Sequence, residues 1–207
     1  EIRSIRGSCF RVNALDELGG DYVRLPSYTE VASDRRAYAR AFMAEAGEQD
    51  AVRGKCLVQP HEKGFLVANP PSIPLSQAEM DAVYALPFTR KPHPSYTEHI
   101  PALDEVAFSV TSARGCFGGC SFCALTFHQG RVIQSRSHES IISEVKRLTH
   151  DPDYKGYIHD VGGPTANFRQ PACKKQLTAG VCRDRQCIGY KPCKNLEVSH
   201  RDYVELL

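Results

Sequence analysis

Residues 112–131 read SARGCFGGCSFCALTFHQGR, which places Cys116, Cys120 and Cys123 on one short stretch at spacings of x3 and x2. Crowded thiolates are soft ligands and select zinc, copper(I) or iron–sulfur clusters over magnesium or calcium. The spacing is not the paired C-x2-C of a structural zinc ribbon. It also differs from the four-cysteine ferredoxin run, in which every iron corner is covered. Three ligands on a four-iron cube leave one iron open, and an open position is where metal chemistry takes place. Gly115, Gly118 and Gly119 suit a loop that must fold tightly round such a group. The plainer alternative is three cysteines packed as small hydrophobes.

A second set follows at Cys173, Cys182, Cys187 and Cys193, with spacings x8, x4 and x5 among lysines and arginines. Four thiols in a loop of low hydrophobicity are a candidate second metal site, zinc or iron–sulfur, and the irregular spacing does not choose between the two. Free or redox-active thiols are the alternative. Cys9 and Cys56 stand alone and read as structural.

The elements around the first loop give it a place. Residues 105–110 (EVAFSV) predict a strand running directly into the loop, and 154–163 (YKGYIHDVGG) a second strand ending in Gly162-Gly163. Between them, 137–150 predict an amphipathic helix capped by Ser137, with Ile141, Ile142, Val145 and Leu148 on one face. Strand, loop, helix, strand is a βαβ unit, whose chemistry collects at the C-terminal ends of its strands. Upstream, 27–47 predict one helix with a Ser27/Glu30 capping box, residues around 55–72 a hairpin about HEKG, and 76–86 a short helix capped by Ser76. A proline-rich stretch ends near residue 101. The division expected is therefore 1–100, a mixed α/β N-terminal region, and 101–207, an α/β part with a cysteine-rich insertion at 173–193.

Composition narrows the classes. The 207 residues are 42% hydrophobic and 24% charged, ordinary for a globular chain. A formal charge of +2 does not indicate nucleic acid or an anionic membrane as partner. No apolar run has transmembrane length. Nine cysteines in short clusters are a poor disulfide framework and point to a reducing, cytoplasmic setting. The start at Glu1 and the end at YVELL read as a piece of something longer.

The C-x3-C-x2-C pattern with Phe122 before its last cysteine resembles the radical S-adenosylmethionine (radical SAM) superfamily. The segment SVTSARGCFGGCSFCALTFHQGRVIQSRSHESI resembles, more narrowly, the YgiQ-type radical SAM proteins. The likeness runs from about Gly54 through GGPTANF to CKNLEVSHRDYVELL. It implies an α/β fold holding the first βα units of a partial (β/α) barrel. It implies that Cys116, Cys120 and Cys123 bind a [4Fe-4S] cluster whose open iron chelates S-adenosylmethionine. Reductive cleavage would then yield a 5′-deoxyadenosyl radical that abstracts hydrogen from an unknown substrate, with a flavodoxin or ferredoxin as electron donor. It places Phe122 near the adenine, and Gly162 and Gly163 at the methionine amino group. Pro164 stands where the family carries a glutamate, so only a backbone role carries over there. The alternative is a zinc or iron–sulfur module serving structure or electron transfer without catalysis.

Weaker candidates lie nearby. Arg131 and Arg136 could meet a carboxylate or serve structure, and His128 could donate beside the loop. His159 and Asp160 are expected at the end of the second strand. No acid–base pair or nucleophile stands out as catalytic.

Overall fold

The computed structural model describes residues 3–164 and 166–207. Thr165, inside the quoted GGPTANF segment, lies outside the described residues. The chain forms two compact units, Glu1–Pro74 with Lys174–Arg185, and Leu75–Cys173 with Gln186–Leu207.

The first unit is built on a four-stranded sheet of β1 (Cys9–Val12), β2 (Tyr22–Arg24), β3 (Cys56–Pro60) and β4 (Phe65–Ala68), in the order β1-β4-β3-β2. β3 and β4 are the predicted hairpin, paired antiparallel, with His61 N–H donating to the Gly64 carbonyl at 2.9 Å. Gly64 is needed at that turn: its φ is +88°, and a Cβ would come within 2.4 Å of the Val12 carbonyl. β2 joins β3 in parallel, and Val12, Val58 and Val67 form the buried core.

The predicted helix over 27–47 is in fact two, α1 (Tyr28–Ser33) and α2 (Arg35–Glu48). Ser27 and Glu30 make the expected capping box. The break comes at Asp34, whose backbone is extended and whose carboxylate accepts from Arg36 N–H at 2.9 Å and Ala37 N–H at 3.2 Å. A short acidic side chain that can cap a new helix competes with continuing the old one.

In the second unit α3 (Gln77–Tyr84) starts at its Ser76/Glu79 capping box. Next comes α4 (Pro101–Val106), with Pro101 in the first turn, where a missing N–H costs nothing. This corrects the strand predicted over 105–110: only β5 (Ser109–Thr111) is extended, because the proline starts a helix that consumes Glu105 and Val106. β6 (Ala113–Arg114), α5 (Leu125–Gln129), β7 (Gln134–Ser135), α6 (His138–Leu148) and β8 (Asp160–Gly162) follow. α6 keeps its Ser137 cap, which accepts from Ser140 N–H at 3.1 Å. The second predicted strand is likewise shortened to β8, since a turn from Asp151 to Tyr154 and the positive φ of Gly156 hold the approach out of the ladder.

β5 and β8 pair in parallel with α6 between them in sequence, so the βαβ unit is present. Val110, Ile141 and Leu148 form its buried core. β6 and β7 form a separate antiparallel pair. The architecture is mixed α/β with small sheets. α7 (Lys175–Ala179) belongs to the first unit, where Arg183 pairs with buried Glu48 at 2.9 Å. α8 (Arg201–Leu206) ends the second.

Candidate metal centre

The cysteine loop leaves the C-terminal side of β5 and is closed at its base by β6 and β7, whose register sets Ala113 opposite Ser135 and Arg114 opposite Gln134. Above this base Cys116 N–H donates to the Gly130 carbonyl at 3.0 Å, and Gly115 N–H to Gln129 Oε1 at 3.1 Å. Gly115 has φ +89°, and a Cβ there would meet the Val132 carbonyl at 2.2 Å. The crossing of the two loop ends therefore admits glycine alone.

Phe117, inside the loop, is its anchor. It is 1% exposed, packs with Ala113, Ile133 and Ala172, and stacks on Phe168 at 4.1 Å. Its neighbours Cys116 and Gly118 are half-buried. Gly118 N–H donates to Cys116 Sγ at 3.4 Å. A Cβ on Gly118 would lie 3.4 Å from Cys116 Sγ and 3.7 Å from Cys120 Sγ, so two sulfurs flank one bare backbone position. Cys123 N–H closes a turn onto the Cys120 carbonyl at 3.0 Å. The donor set and the glycine between the sulfurs fit a thiophilic metal group. Among the described residues no three His, Cys, Asp or Glu side chains are gathered closely enough to hold an ion. Phe122 is 90% exposed, at the tip of the loop.

The Gly162-Gly163 turn lies beside β5: Ser112 N–H donates to the Gly162 carbonyl at 2.6 Å. Gly163 N–H donates to Asn167 Oδ1 at 3.0 Å, and Tyr203 of α8 donates its hydroxyl to the Val161 carbonyl at 2.7 Å. Burial and the nearby charge of Asp160 push the Tyr203 phenol above its usual value.

Two buried arginines fix the strand ends from which both loops spring. Arg136 is fully buried, donates to the Thr111 carbonyl at 2.8 Å and pairs with Glu144. Its guanidinium lies 4.3 Å from the centre of the Tyr84 ring. Arg169 donates to the carbonyls of Ser112 at 3.1 Å and Arg136 at 2.8 Å and pairs with Asp202. Of the two candidate roles for Arg136, the structural one holds, its carboxylate partner being internal. Burial pushes the Asp202 carboxyl upward, but the hydrogen bond and charge of Arg169, with His138 alongside, hold it below its usual value.

Other candidates are placed apart. His128 is exposed on α5, and Arg131 is half-buried after it. β8 begins at Asp160, so His159 enters the strand instead of ending it. Its ring stacks on Tyr157 at 5.2 Å and lines a cavity of about 650 Å³ with Arg90, Lys91 and Phe108, at the end of the pair remote from the cysteine loop. The later cysteines are divided: Cys182 belongs to the first unit, and Cys173, Cys187 and Cys193 to the second. Cys193 N–H donates to the Cys187 carbonyl at 3.0 Å, and Cys187 packs against the Phe117 core.

The sequence reading missed Phe117, Asn167, Arg169 and Tyr203. Only Phe117 carried a local signal, an aromatic between a ligand cysteine and two glycines. Arg169 and Tyr203 act through partners 30 or more residues away, as in the bond of Arg169 to Ser112, 57 residues distant, and Asn167 joins Gly163, four residues back, to Tyr203, 36 residues on.

Comparison with known proteins bears on this geometry. Residues 1–109 match the family described as Radical SAM N-terminal. A UPF0313 protein of Clostridium perfringens (strain ATCC 13124) is 53% identical over 208 residues, covering 100% of this chain and 31% of its own length. One from Clostridium botulinum (strain ATCC 19397) is also 53% identical, over 100% of this chain and 32% of its own. The chain thus spans about a third of these relatives, and the cysteine loop lies inside the shared span. No solved structure matches. No helix among the described residues is long and apolar enough to cross a membrane.

Proposed function

The chain belongs to the radical SAM N-terminal family, and on that premise we propose that it carries the cluster loop and first βα unit of a radical S-adenosylmethionine enzyme. The observation behind this reading is the loop: three thiols beyond the C-terminal end of a parallel strand pair, two of them flanking Gly118. Thiolates suit iron, and three of them leave one corner of a four-iron group for a ligand. When bound, a [4Fe-4S] cluster would supply the electron that cleaves S-adenosylmethionine, giving a 5′-deoxyadenosyl radical that takes hydrogen from a substrate.

The chain's own residues do the holding. Gly118 N–H donates to Cys116 Sγ and holds that sulfur against the loop backbone. Phe117 fixes the loop to the unit while Cys120 stays exposed. Exposed Phe122 offers its ring to an adenine, and the Gly162-Gly163 turn its backbone to the methionine end. β5, α6 and β8 would begin the barrel, with the N-terminal region of 1–100 ahead of it. In this reading a flavodoxin or ferredoxin in the cytoplasm is the electron donor.

Anaerobic reconstitution with iron and sulfide tests the assignment. Cys116→Ala, Cys120→Ala and Cys123→Ala should each remove about four irons, the content of one cluster. If iron content survives all three and falls only when the later cysteines are replaced, the loop is not the site, and a non-catalytic metal module is the better account.

A further inference from the structure

The later cysteines are not equivalent in the fold. Cys193 N–H donates to the Cys187 carbonyl at 3.0 Å, which closes residues 187–193 (CIGYKPC) into a small loop with a cysteine at each end of its base. Among the described residues no such bond ties Cys173 or Cys182 to another cysteine. A backbone N–H···O=C bond sets the two α-carbons about 5–6 Å apart, by the standard dimensions of the peptide unit. Disulfides span α-carbon separations of about 4.4–6.8 Å, so this pair stands within bridging range.

The surroundings hold the base of the loop still. Cys187 and its neighbour Ile188 pack against the core of Ala113, Phe117, Ile133 and Ala172, and Leu196 joins them. Leu196 N–H donates to the Cys193 carbonyl at 3.0 Å and Glu197 N–H to the Ala172 carbonyl at 2.8 Å, which ties the chain leaving Cys193. The tip is different, for Tyr190 is 99% exposed. Both cysteines are half-buried, at the border between core and solvent. A base already closed by the fold spares a disulfide much of the entropy that closing a loop would cost.

We propose that Cys187 and Cys193 are a reversible dithiol–disulfide pair, oxidised by a low-molecular-weight disulfide such as glutathione disulfide. The thiolate of one cysteine attacks a sulfur of that disulfide, one glutathione leaves, and a mixed disulfide forms. The second cysteine then displaces the other glutathione and closes the Cys187–Cys193 bond. Two protein thiols are oxidised, one glutathione disulfide is reduced, and the two thiol protons end on the two glutathiones released. In a reducing setting such a pair is oxidised transiently and responds to the poise around it. The assignment is independent of what the first cysteine loop binds.

Mass spectrometry tests it directly. Trypsin leaves both cysteines in one peptide, 186–194, because Lys191 is followed by proline. The folded protein is equilibrated anaerobically with glutathione and glutathione disulfide, quenched with iodoacetamide and digested. The peptide should appear lighter than its dithiol form by the two thiol hydrogens, without alkyl groups, and prior treatment with dithiothreitol should restore alkylation at both cysteines. The free peptide 186–194, whose base nothing holds, should close with an equilibrium constant about 10-fold lower or less. A peptide from the protein alkylated at both cysteines, carrying glutathione at both, or cross-linked to a peptide holding Cys173 or Cys182 would overturn the pairing. Equal equilibrium constants for the protein and the free peptide would overturn the claim that the fold prepares it.

Discussion

Replacing Phe117 by alanine should loosen the cysteine loop and destabilise the unit that carries it. The ring is 1% exposed, so nearly its whole surface leaves water on folding. Truncating a buried phenylalanine costs about 3–5 kcal/mol, the transfer loss plus the cavity left behind. The stack on Phe168 at 4.1 Å accounts for roughly 0.5–1.5 kcal/mol of that. Urea unfolding monitored through the second unit should show the midpoint fall accordingly. A double-mutant cycle of Phe117→Ala and Phe168→Ala should return a coupling near the stacking value. Because the same ring holds the backbone between Cys116 and Gly118, iron uptake on reconstitution should fall under conditions where the variant is still folded. A loss of stability under about 1 kcal/mol would refute the burial on which the reasoning rests. Full stability loss with unchanged iron uptake would refute the link between that core and the loop.

Two further outcomes follow from local geometry. Asp34→Ala removes the carboxylate that caps α2 and should cost about 1 kcal/mol in thermal or urea unfolding of the first unit, whereas Asp34→Asn, which keeps an acceptor, should cost less. Asp202, with a folded carboxyl held below its usual value, stabilises the second unit fully above the unfolded carboxylate range and loses that contribution as pH falls through the folded value. Asp202→Asn should therefore lower stability at neutral pH and flatten the acid limb of a stability–pH profile, with the two proteins converging toward low pH. Parallel profiles would exclude the Arg169–Asp202 pair as the cause.

What could be read in the sequence was local. Ser27 with Glu30, Ser76 and Ser137 each cap a helix within four residues, and Ile141, Val145 and Leu148 lie on one helical face as expected, whereas Ile142, assigned to that face, is exposed. The βαβ order was readable for the same reason. Asp34 was hidden because a good cap inside a helix-forming run looks like one more polar residue. The strand ends were misjudged where Pro101 and Gly156 act on backbone geometry and leave hydropathy unchanged. The cysteine spacing identified the loop, but not what anchors it. Arginine is ordinarily exposed, so full burial of Arg136 follows only from Glu144, Thr111 and Tyr84 coming together in the fold.

The most direct test of the central claim is an electron paramagnetic resonance spectrum of the reconstituted, reduced protein before and after adding S-adenosylmethionine. A cluster held by Cys116, Cys120 and Cys123 has one iron open to the ligand, so the signal should shift on addition, and Cys116→Ala should abolish both signal and shift. A cluster signal unmoved by S-adenosylmethionine, or one that survives Cys116→Ala with its shift intact, would contradict the account.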